Sequence, residues 1–143
     1  MVAVFAIFVG GQITEGVILV PYWKSLSSQN FYSFYESFGP LIGRFYTVLT
    51  LIAAFIPIVL CLYCWRTKHV AFRDALISSI FALLFIAAFY IYFKGANEQF
   101  YAATMSAAEL SNELRTWSLW HWGRVVMECS SLYFLMRALQ LLE

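Results

Sequence analysis

Charge is what this chain has least of. Only 12% of its 143 residues are Asp, Glu, Lys or Arg, against 62% hydrophobic and 20% aromatic. A soluble domain of this length exposes too much surface for so few charges to cover, so the composition points to an integral membrane protein. Nine basic and eight acidic residues leave a net charge of +1, which gives nucleic acid nothing to grip. Histidine is scarcer still. His69 and His121 fall at opposite ends of the expected spans, which argues against a haem held by two axial histidines. Three cysteines, Cys61, Cys64 and Cys129, make no disulfide framework. "CLYC" has redox-motif spacing but no βαβ context, and reads as soft packing. No basic segment or small-residue cleavage site accompanies "MVAVFAIFVGGQITEGVILV", so this run is expected to stay as a span. No internal repeat is visible, which counts against a transporter.

What is present is long apolar runs. Four are long enough to cross about 30 Å of hydrocarbon: about 2–22, 41–64, 73–93 and 117–140. The expected fold is all-α, a single domain over 1–143 forming an antiparallel four-helix membrane bundle. Pro57 should bend the second span. The short loop "WRTKHVAFRD" concentrates Arg66, Lys68 and Arg73, which favours a cytoplasmic loop and cytoplasmic termini. The other two loops are expected to be helical. "KSLSSQNFYSFYESFGP" places Phe31, Phe34, Tyr35 and Phe38 on one face, as in a short helix lying in the membrane interface. "ANEQFYAATMSAAELSNELRTW" reads as a helical approach to the last span, and both loops are placed to cap the bundle's outer mouth.

The last span begins "RTWSLWHWGRVVMECS", which is polar where lipid would favour leucine. Steps of four, three and four put Trp117, His121, Arg124 and Glu128 on one stripe. Glu128 then lies roughly 16 Å deep. An unpaired charge at such depth costs about 2.5–3.5 kcal/mol even on the lenient insertion scale, so the stripe must face the interior. Glu15, the only acid of the first span, lies roughly 10 Å deep, level with Arg124. Arg44, Asn97 and Glu98 fall on the same outer side, and Tyr46, Thr47, Tyr90 and Tyr92 add hydroxyls. Two readings remain open: an ionic clasp that fixes helix register, or a polar pocket with Glu15, Glu128, Trp117, Trp120 and Arg44 as ligand-binding residues. One imidazole among carboxylates is a thin donor set, so no metal site is assigned. The nature of any cofactor stays open.

The pieces "FVGGQITEGVILVPYW", "FYSFYESFGPLIGRFY", "KGANEQF" and "LRTWSLWHWGRVVME" together resemble the DUF1772, or anthrone oxygenase-like, family of small four-span membrane proteins. The tryptophan followed by W-H-x-x-R at the last helix is the most specific of them. The resemblance implies oxidation or binding of a hydrophobic aromatic compound without a recognised cofactor motif, with Asn97, His121 and Arg124 as inherited catalytic positions. His121 would take the proton that leaves a carbanion, and Arg124 or Asn97 would hold the developing oxyanion. The tryptophans could stack on a planar ligand. The competing expectation is a non-catalytic accessory subunit, packed in the lipid against a larger membrane complex.

Overall fold

The computed structural model describes all residues, 1–143. It contains four long helices and no strand: α1 (Val2–Ser25), α2 (Ser28–Thr67), α3 (Phe72–Ala102) and α4 (Ala107–Gln140). The first three are long and apolar enough to cross a membrane. The fourth has the length, at 34 residues, but its polar stripe keeps it out of that class.

The boundaries depart from expectation at one end of the bundle. The separate interfacial helix and the long helical loop expected there are the ends of α2, α3 and α4 themselves. Only residues 26–27 link α1 to α2, and only 103–106 link α3 to α4. At 40 residues, α2 is about 60 Å long, twice the hydrocarbon thickness. It continues through both Pro40 and Pro57. Two features support it past Pro40. The ring of Phe100 packs edge-on against Phe31 and Tyr35, at 5.2 and 5.3 Å. Gly39 lies so close to Tyr101 that a Cβ there would sit 2.8 Å from its hydroxyl. The new helix ends are capped. Asn30 N–H donates to Ser27 Oγ at 3.3 Å, and Ser106 with Glu109 forms a reciprocal capping box.

Apolar packing falls into two clusters. One joins the start of α1 (Phe5, Phe8), the end of α2 (Leu60, Cys64), the start of α3 (Ala75, Ala82) and the end of α4 (Leu135, Ala138). The other joins the end of α1 (Val20, Trp23), the start of α2 (Phe31, Tyr35), the end of α3 (Phe93, Phe100) and the start of α4 (Leu110, Trp117). The small residues on α3 let α4 approach closely. Ser78 Oγ donates to the Ser131 carbonyl at 2.7 Å, and Ser131 Oγ donates back to the Ser78 carbonyl at 2.9 Å. Ser79 ties α3 to α2 by donating to the Pro57 carbonyl at 2.9 Å. Asp74 pairs with Arg137 at 3.3 Å.

Candidate functional site

Between the two apolar clusters lies a buried polar layer built from α1 and α4. Its centre is Arg124. One Nη2 donates to Gln12 Oε1 at 2.6 Å and to His121 Nδ1 at 3.1 Å, and lies 3.5 Å from Glu15 Oε2. Its Nε faces Glu128 Oε1 at 3.6 Å, and its guanidinium sits 4.4 Å above the Phe93 ring. Glu15 and Arg124 are therefore within the reach that their equal depth implied. Glu15 is 4% exposed and Glu128 fully buried, so both acids depend on this one cation.

His121 is held on every side. Its Nε2–H donates to the Gln12 carbonyl at 2.9 Å, which makes Nδ1 the acceptor for Arg124. Glu15 Oε2 is 3.6 Å from that same Nδ1, and the imidazole stacks on Trp117 at 5.1 Å. Gly16 makes this possible, because a Cβ there would meet His121 ring atoms at 3.1 Å and Trp122 at 2.9 Å. The histidine is fully buried and does not reach the bundle surface.

Beside this layer is a cavity of about 380 Å³. Its polar lining includes Glu15, Arg124 and Asn97, and its aromatic lining includes Trp23, Phe85, Phe89, Phe93 and Trp117. Gly43, Thr47 and Leu51 of α2 and Phe89, Tyr90 and Lys94 of α3 also border it, and all six are exposed on the bundle surface. The cavity accordingly opens sideways between α2 and α3. Trp117 Nε1 donates to Asn97 Oδ1 at 3.2 Å, which leaves the Asn97 amide hydrogens for other partners.

The expected residues therefore divide. Glu15, Arg124, Asn97 and Trp117 meet at the cavity, whereas His121 and Glu128 lie behind it. Trp120 stacks on Tyr92 at 5.0 Å, away from the lining. Arg44 is exposed on α2 and is not part of the lining. Gln12 is the residue that sequence reasoning passed over. It is fully buried and partners both Arg124 and His121. The available signal was an amide three residues before Glu15 in an otherwise apolar run, on the same helical face. The geometry also shows two π-helical turns that spacing alone did not reveal, Glu15–Leu19 in α1 and Phe89–Phe93 in α3. Both border the cavity, and each places an extra residue in its turn.

An apolar chamber ending on a cation, a carboxyl group and an amide can hold a flat ligand and stabilise negative charge on one of its oxygens. Compared with family models, curated proteins and solved structures, the chain matches none of them.

Proposed function

We propose that this chain is an integral membrane protein whose four helices cross the bilayer antiparallel, with both termini in the cytoplasm. In this reading the cavity between α2 and α3 takes a hydrophobic aromatic compound from the lipid. What supports the antiparallel arrangement is the pairing of chain segments in the two apolar clusters. What supports α4 as a span is that its charged residues turn inward onto α1. The observation that carries the ligand reading is the cavity itself, with aromatic walls that converge on Arg124, Glu15 and Asn97.

The reaction class is that of the anthrone oxygenase-like family that the sequence resembles. There an anthrone and one O2 give an anthraquinone and one water. Arg124 and Asn97 are the donors for the oxyanion that develops when the ring carbon gives its proton to the Glu15 carboxylate, which lines the cavity where His121 does not. His121 works from behind, holding the guanidinium of Arg124 in place.

The test is conversion of anthrone to anthraquinone in air, followed by absorbance, with the chain in lipid nanodiscs. Wild-type protein should exceed empty nanodiscs. Asn97→Ala should lose about tenfold or more, the usual cost of one oxyanion donor being 10²–10³-fold at its largest. Leu51→Trp, at the mouth, should abolish turnover. If wild type and empty nanodiscs are equal, the enzyme reading fails, and the chain is better described as an accessory subunit within a larger membrane complex.

A further inference from the structure

We infer that Glu15 is the hydrogen-bond acceptor that selects the ligand, so that the cavity takes an aromatic compound bearing a free O–H. This deepens the reading above and rests on the cavity being a ligand site. Glu15 lines the cavity, yet neither of its carboxyl oxygens receives a hydrogen bond: Oε2 is buried without a donor, and Oε1 is the oxygen left accessible to a ligand. The nearest candidates, Arg124 Nη2 and His121 Nδ1, stop at 3.5 and 3.6 Å. Nδ1 carries no proton to offer, since it already accepts from Arg124. The same Arg124 Nη2 is committed to Gln12 and His121. A carboxyl group buried this far and left short of donors is costly unless something supplies one.

His121 cannot fill that role towards the cavity, because it is fully buried with both ring nitrogens engaged. Two other polar groups of the lining, Arg124 and Asn97, present donors to the cavity. Arg124 is a cation and Asn97 has already spent its Oδ1 on Trp117, while Tyr46, whose hydroxyl hydrogen goes to the Gly11 carbonyl, keeps only a neutral phenol oxygen. Glu15 is thus the one buried carboxyl group of the wall, since Glu98, the other acid of the lining, is exposed on the bundle surface. A phenol matches it, with its O–H to Glu15 and its oxygen near Arg124. A hydrocarbon or an ether of the same shape leaves the acceptor unmet.

The experiment uses two probes, 9-phenanthrol and 9-methoxyphenanthrene, which share a tricyclic frame and differ in the O–H. Saturable binding to full-length protein in nanodiscs is measured by equilibrium dialysis against empty nanodiscs. Wild type should prefer the phenol by about tenfold, the effect of one hydrogen bond to a charged group. Glu15→Gln should reduce that preference to about twofold, since a neutral amide oxygen is the weaker acceptor. Leu51→Trp should remove binding of both probes. If neither probe binds wild type saturably, the ligand site falls and this inference with it. If both bind wild type equally, and Leu51→Trp abolishes them, the ligand site stands and the role of Glu15 is overturned. That comparison needs no variant at position 15, so it holds even if Glu15→Gln does not fold. A phenol preference that persists in folded Glu15→Gln overturns the inference as well.

Discussion

Replacing Arg124 by methionine keeps an unbranched side chain but removes the only cation of the polar layer. Two kinds of loss follow. The hydrogen bonds to Gln12 and His121, at 2.6 and 3.1 Å, are the smaller part. Interhelical hydrogen bonds measured in one membrane protein average only about 0.6 kcal/mol each. The larger part is the stranding of Glu15 and Glu128, which are 4% and 0% exposed and share no other cation. Breaking a buried pair by removing one partner typically costs about 3–5 kcal/mol. At about 2–4 °C per kcal/mol for a chain of this size, the expected fall in Tm is on the order of 10 °C. The assay is thermal unfolding in a mild detergent, followed by circular dichroism. Adding Glu128→Gln to Arg124→Met should recover part of the loss, because it removes one stranded acid. A single variant that melts within about 2 °C of wild type would refute the reasoning, since a dependent acid pair must cost more than that. So would a double variant that is less stable than the single one.

Gly16→Ala should cost about 1–3 kcal/mol, the usual price of overpacking, because the new methyl meets the imidazole of His121 at 3.1 Å; melting of the variant beside Gly10→Ala, where a Cβ meets nothing within 4 Å, checks it. The start of α4 should fray in acid. The Ser106 hydroxyl and backbone N–H hold the Glu109 carboxyl below its ordinary value of 4.5. A group whose folded pKa is depressed contributes stability above its unfolded pKa and loses it as pH falls through the folded one. The protection factors of the amides at residues 107–110, which correct for the intrinsic pH dependence of exchange, should therefore fall below about pH 4.5 and stay level between pH 6 and 8. Protection factors that stay flat down to pH 3 would contradict this.

The four helices were legible because a long apolar run has few alternatives. The inward stripe on α4 was legible because helical spacing and the cost of buried charge agree on its direction. Continuity of α2 was not. Proline 40 after Gly39 reads locally as a stop, and what overrides it is Tyr101 and Phe100, some sixty residues away in sequence. His121 was legible as a polar intruder but not in its placement. A histidine among tryptophans fits the headgroup level equally well, and only Gln12 and Gly16 on α1 make room for it inside. Arg44 shares a depth with the layer without sharing its direction, which depth alone does not reveal. Asn97 is different: its place after the third apolar run put it at the right level, and its contact with Trp117 brings it to the cavity.

The division of the polar layer between α1 and α4 has a consequence for biogenesis. On the insertion scale each central charge opposes partitioning from the translocon by about 2.5–3.5 kcal/mol, and α4 brings Arg124 and Glu128 together with His121. If the chain spans the bilayer as proposed, α4, synthesised after α1, would enter readily only where α1 is already there to offer Gln12 and Glu15. Until then α1 would itself sit in lipid with an unmatched acid. Each helix acts as the other's chaperone across roughly a hundred residues of nascent chain. A chain that stops before α4 would therefore leave Glu15 without the cation it faces.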